Sequence, residues 1–140
     1  MLYTDGAARG NPGPGGYGVL LIWNGHRKEL SQGYKHTTNN RMELIAAVRA
    51  LETLKEPCEV TLTTDSQYLR KAFTDGWLKN WQRNGWRTAS KDPVKNKDLW
   101  LILLDLTKQH EINWKWTLGH AGHTENEQVD EMALRARKKL

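Results

Sequence analysis

The stretch YGVLLIWNGHRKELSQGYKH, residues 17–36, does most to limit what this chain can fold into. Residues 17–23 form a continuous apolar run of strand character, Asn24-Gly25 is a tight-turn signal, and residues 28–36 supply a partner strand. Ahead of them, LYTD starts as a strand and runs into GAARGNPGPGG, whose glycines and prolines predict an irregular segment. The first part of the chain therefore reads as an antiparallel meander.

After residue 36 the hydrophobic period changes. Leu44, Val48, Leu51 and Leu54 recur at helical spacing while Arg49, Glu52 and Glu56 fall on another face, and Pro57 is expected to stop that helix. EVTLTTDS (59–66) reads as a strand, QYLRKAF as a helix, KDLWLILLDLTKQH as a helix, EINWKWTL as an alternating strand and ENEQVDEMALRARKKL as a C-terminal helix. The order is β-β-β-α-β-α-α-β-α, with room for one more short helix in residues 76–97. A meander followed by strand–helix alternation predicts an α/β fold, a mixed sheet with helices packed on it. The length of 140 residues suits one domain, 1–140, able to bury a core without disulfides. Cys58 is the only cysteine, and neither a signal-peptide pattern nor a membrane-spanning apolar run is visible. The expectation is a cytoplasmic monomer with no membrane contact.

Net charge is +5, and all of the excess sits in one place. Residues 76–97, GWLKNWQRNGWRTASKDPVKNK, hold six Lys/Arg, one Asp and three of the seven tryptophans, while the remaining 118 residues are balanced at 15 basic and 15 acidic side chains. A solvated basic loop would account for the charge alone. Cations interleaved with aromatics suit phosphates together with sugar or base faces, so nucleic-acid contact is the expectation.

Four acids call for attention, each with an ordinary alternative. Asp5 at the end of the first strand could be a turn former, and Glu43, three residues after Asn40, could belong to a helix start. Asp65 could cap the next helix, and Asp130, among Glu125, Glu127 and Glu131, could serve a helix dipole. Yet Asp5 and Asp65 both follow threonine at strand ends, in YTDG and TTDS. If those strands are adjacent and parallel, the carboxylates emerge side by side, and one must stay protonated unless a cation joins them. Oxygen ligands select Mg²⁺ or Mn²⁺ over zinc, and GHAGHTENEQVDE (119–131), with the lone cysteine far away, does not make a zinc site.

The blocks YTDGAARGNPGPGGYG, TTNNRMEL, TDSQYLRK, NWQRNGWRT, PVKNKDLW and GHAGHTENEQVDE resemble, in order and spacing, the signature blocks of bacterial type 1 ribonuclease H. The resemblance implies the ribonuclease H-like fold: a five-stranded mixed sheet, antiparallel then parallel, flanked by helices and carrying a basic protrusion at 76–97. It implies hydrolysis of the RNA strand of an RNA/DNA hybrid, giving 5′-phosphate and 3′-hydroxyl ends. Two Mg²⁺ ions, with Mn²⁺ as a substitute, would be held by Asp5, Glu43, Asp65 and Asp130. His120 matches a histidine of a mobile loop that assists proton transfer or product release, while His123 positions that loop.

By the same resemblance, Asn11, Asn39 and Gln67 contact the RNA strand, with Asn39 or Asn40 alternatively a helix cap. The deoxy strand runs along Tyr68, Trp77 and Trp81, and Thr38 and Asn96 grip one of its phosphates. Trp86, Trp100, Trp114 and Trp116 read as packing residues. Two departures stand out: His36 replaces an arginine usual in the phosphate pocket, and Ala8 replaces a frequent cysteine. A junction resolvase, integrase or exonuclease would share the fold, and a non-catalytic hybrid-binding module could lose a carboxylate. A helix-turn-helix protein using 66–97 would leave the dispersed acids unexplained.

Overall fold

The computed structural model describes residues 1–10, 12–88, 91–117 and 124–139. Its elements are β1 (Leu2–Ala8), β2 (Gly13–Trp23), β3 (His26–Thr37), α1 (Asn39–Glu52), β4 (Glu59–Thr64), α2 (Gln67–Thr74), α3 (Trp77–Arg83), α4 (Lys97–Gln109), β5 (Glu111–Trp116) and α5 (Thr124–Lys138). The five strands form one sheet in the order β3-β2-β1-β4-β5. β1 and β3 flank β2 antiparallel, whereas β4 runs parallel to both β1 and β5. The mixed sheet expected from the element order is present, and α3 is the short helix that the basic segment had room for. Asn24 and Gly25 both take positive φ, 47° and 80°, as the two-residue turn between β2 and β3 requires.

The glycine-rich run corrects the sequence reading. Rather than being irregular throughout, β1 continues to Ala8 and β2 begins at Gly13, with Asp5 paired to Gly18 and Ala7 to Gly16. The reason lies in α5, which rests directly on the strand backbone. A Cβ on Gly16 would meet the Ala133 carbonyl oxygen at 2.5 Å, and one on Gly18 the Val129 carbonyl oxygen at 2.5 Å and Met132 Cβ at 2.8 Å. On the other face, a Cβ on Gly6 would lie 2.4 Å from the Met42 carbonyl of α1. Side chains alternate across a strand, so Asp5 shares the α5 face with Gly18 while Gly6 faces α1.

This close seating has a measurable consequence. Gly18→Ala forces α5 away from β2, so we expect a loss of about 1–3 kcal/mol in urea unfolding. Asp130 rides on α5, and activity should fall as well. An unchanged denaturation midpoint would contradict the packing argument.

Helix α1 buries Leu44, Ala47 and Leu51 completely against the sheet, and Leu62, Trp100 and Leu103 continue the same core. The helix ends at Glu52, sooner than Pro57 alone predicts. Thr53 and Leu54 close it with i→i−3 bonds to Ala50 and Leu51, and the Thr53 hydroxyl donates to the Ala50 carbonyl at 2.7 Å. Leu54 therefore packs from beyond the helix. β4 also ends early, at Thr64, because Ser66 caps α2 by accepting from the Leu69 N–H. Among the described residues, no helix is long and apolar enough to cross a membrane.

Candidate active site

The first two acids are brought together by strand register. β1 and β4 are parallel neighbours with Leu2 beside Leu62 and Tyr3 beside Thr63. Carried two residues on, that register sets Asp5 beside Asp65. Glu43 joins them from α1 and Asp130 from α5, and all four line one cavity of about 390 Å³ with Gly6, Ala7, Asn39, Asn40, Gln67 and Tyr68. Elements far apart in sequence thus meet just beyond the parallel pairing of β1 with β4.

The ordinary alternatives for these acids are met by other residues. Thr38 caps α1, its hydroxyl accepting from the Arg41 N–H at 3.2 Å, so neither Asn39 nor Asn40 is the cap. Glu43 lies in the second turn of α1, beyond the reach of a capping box. Ser66, not Asp65, caps α2, and Asp130 lies beyond the first turn of α5, which holds Glu125 and Glu127. Asp5 sits inside β1 and does not end it.

Crowding shows in the chemistry of the site. Burial pushes the Asp5 carboxyl up to about 9, helped by a hydrogen bond with Asp130 and the charges of Asp65 and Asp130, against an opposing bond from the Gly6 N–H. Glu43 is raised to about 7, mainly by burial, with the charge of Asp65 adding to it and hydrogen bonds from Ser66 and Asn39 opposing it. Those bonds are specific: Ser66 Oγ donates to Glu43 Oε2 at 2.5 Å, and Asn39 Nδ2 donates to Oε1 at 3.2 Å. Asn39 Oδ1 in turn accepts from the Ala8 N–H at 3.4 Å. Among the described residues, no three acid, histidine or cysteine side chains stand ready-made around a metal. Asp5 and Glu43 are instead held toward their protonated forms, with hydrogen bonds from Gly6, Ser66 and Asn39. An all-oxygen set that must hold protons to coexist fits a hard divalent cation, which would replace those protons.

Beside the acids lies a row of rings. Tyr68 and Trp77 are 6.4 Å apart, Trp77 and Trp81 5.9 Å, and Trp81 and Trp86 6.0 Å. Trp100, fully buried, packs beneath Tyr68 at 5.3 Å and Trp81 at 5.7 Å. Trp77 and Trp81 also wall a hollow with Asn80, Arg83, Asn84, Arg87 and Thr88, so cations and rings do interleave on the surface. Trp114 and Trp116 stack on β5, half-buried.

A further hollow of about 330 Å³ is lined by Thr38, Asn40, Tyr68, Lys95 and Asn96. His36, exposed near the end of β3, is not among its walls, and Lys95 is the cation that is. Sequence reasoning missed Lys95, Ser66 and Arg41. Arg41 forms a forked pair with Asp98 at 2.9 and 3.1 Å and also donates to Asn96 Oδ1 at 3.2 Å. The available signal was an arginine in the first turn of a helix, where the macrodipole disfavours it unless a partner holds it there. Of the residues expected at the site, Asn11 and His120, with His123, lie outside the described residues.

Oxygen ligands suited to a cation, next to cations and rings suited to a polyanion, are the combination a nuclease needs. The chain belongs to the RNase H family, whose sequence profile matches residues 1–138. It is 57% identical over 135 residues to Ribonuclease H of Tolumonas auensis, covering 96% of this chain and 87% of that one. Ribonuclease HI of Brucella melitensis is 60% identical over 131 residues, covering 94% and 84%. Among solved structures, LC9-RNase H1, a type 1 RNase H with the type 2 active-site motif, superposes with a TM-score of 0.79 at 30% identity, covering 99% of this chain and 71% of that one. LC11-RNase H1 in complex with an RNA/DNA hybrid gives 0.67 at 28% identity, covering 99% and 96%. The chain is an endoribonuclease H of the bacterial type 1 kind.

Proposed function

We propose that this chain, acting as one domain and as a monomer, cuts the RNA strand of RNA/DNA hybrids internally and leaves 5′-phosphate and 3′-hydroxyl ends. Two Mg²⁺ ions, with Mn²⁺ as a substitute, would be held by Asp5, Glu43, Asp65 and Asp130. The observation that carries this reading is the parallel β1–β4 register, which sets Asp5 beside Asp65 in a cleft shared with Glu43 and Asp130. The hybrid as substrate is supported by the family relation and by the complex of LC11-RNase H1.

When bound, the ions would supply an activated water and stabilisation of the leaving oxygen. The remaining tasks fall to the chain. Ser66 and Asn39 aim the Glu43 carboxylate, and the Gly6 N–H orients Asp5. Asn39 and Gln67, on the rim of the cleft, read the RNA strand, whose 2′-hydroxyls distinguish it from DNA. Tyr68, Trp77 and Trp81 support the deoxy strand, and Thr38 and Asn96 hold one of its phosphates. Asn11 and His120 keep the roles given by resemblance: an RNA contact, and proton transfer or product release.

The test is a labelled RNA strand annealed to DNA, beside matched RNA/RNA and DNA/DNA duplexes, in Mg²⁺ or in EDTA. Internal cutting of the hybrid's RNA in Mg²⁺ alone is expected. Binding without cutting would make this a hybrid-binding module, and cutting of the other duplexes would move it to another activity of the fold.

A further inference from the structure

Tyr68 stands in the wall between the carboxylate cleft and the Thr38–Lys95–Asn96 hollow, and lines both. Its hydroxyl oxygen receives two hydrogen bonds, from Trp100 Nε1 at 3.1 Å and from Asn96 Nδ2 at 3.3 Å. The direction of both bonds is settled by chemistry. An indole N–H only donates. The Asn96 amide could in principle be turned around, but Arg41, which also only donates, occupies its oxygen at 3.2 Å. Arg41 is in turn locked by its fork to Asp98. Asn96 therefore presents its NH₂ to Tyr68.

With two donors already on the oxygen, the Tyr68 proton must point to a third partner. Among the described residues, no acceptor takes it. Backbone geometry reinforces the arrangement: Asn96 sits at φ 63° ahead of α4 and makes no capping bond with its side chain, which is left for Arg41 and Tyr68.

We propose that the Tyr68 hydroxyl is an obligate hydrogen-bond donor to a phosphate of the bound deoxy strand. Arg41, acting through Asn96, is the positioning residue that sets this polarity. The inference rests on the hybrid reading above and adds a specific atom to it. Thr38 shares the hollow, and its oxygen accepts from the Arg41 N–H, which leaves its proton available to the same anion. Lys95 supplies the charge. The hollow would then offer a cation and several directed donors, which suits a phosphate.

Tyr68→Phe keeps the ring against Trp77 and Trp100 and removes the oxygen. In hybrid cleavage, KM should rise about fivefold while kcat falls much less, as expected when a binding contact is removed. Trp100 Nε1 also loses its partner, so a structural effect has to be separated from a lost contact. Methylphosphonates placed singly along the DNA strand do this, read by hybrid binding to the Asp65→Asn variant with and without Tyr68→Phe. One position should weaken binding when Tyr68 is present and weaken it clearly less when it is Phe. Equal penalties at every position in both backgrounds, or an unchanged KM, would overturn the assignment. If the unaltered protein neither binds nor cuts the hybrid, the hybrid reading itself fails, and this inference with it.

Discussion

Asp65→Asn should lower the rate of hybrid cleavage on the order of a thousandfold while leaving the protein folded and able to bind hybrid. The expectation comes from where Asp65 stands. Its charge is felt by both Asp5 and Glu43, raising each, so it lies at the electrical centre of the cleft. Its neighbour Ser66 performs the capping of α2, and β4 has already ended at Thr64, so neither element depends on the Asp65 side chain for its termination. An amide of the same shape keeps the space filled but removes a negative ligand from an all-oxygen set. Single-turnover cleavage of a labelled hybrid, with circular dichroism as the check on folding, measures this directly. Retention of more than about a tenth of the rate in a folded variant would remove Asp65 from the metal set and with it the proposed mechanism.

The same residues show how far a sequence can be read by local rules. The threonine–aspartate pairs of YTDG and TTDS were visible, and the inference that they lie side by side needed only the parallel pairing that β1 and β4 adopt, although Asp5 sits inside β1 and not at its end. The hairpin at Asn24-Gly25 was legible because its backbone demand is local. Gly16 and Gly18 were not. Their reason is an approach by α5, more than a hundred residues away in the chain, and a strand thinned for a helix resembles a loop in composition. The cap of α1 stayed open for a related reason: Thr38, Asn39 and Asn40 are all acceptable caps, and only the three-dimensional course of the chain leaves Asn39 facing Glu43. Arg41 was passed over since its value depends on Asp98 and Asn96, which no helical or strand period connects to it.

The crowded acids should also govern stability when no metal is bound. Asp5, near 3.8 in an unfolded chain, is held up to about 9 in the fold, and Glu43, near 4.5, up to about 7. Between those limits the folded protein holds more protons than the unfolded one. Folding stability therefore has to fall as pH rises, with the contribution of these groups fully present below about pH 4 and lost through 7 for Glu43 and 9 for Asp5. In EDTA, the urea midpoint should drop steadily from about pH 5 to about pH 8.5, and millimolar Mg²⁺ should restore much of it at the alkaline end, where a cation would replace the protons. Asp5→Asn removes the most strongly shifted of the two without changing size. At about pH 8 in EDTA it should be more stable than the unaltered protein by at least about 2 kcal/mol, with a shallower pH slope and a weaker response to Mg²⁺. A midpoint that climbs with pH in EDTA, or an Asp5→Asn variant no more stable at pH 8, would mean that Asp5 and Glu43 are not held in the buried setting, beside other acids, that raises them, and the case for a shared cation would lose its physical basis.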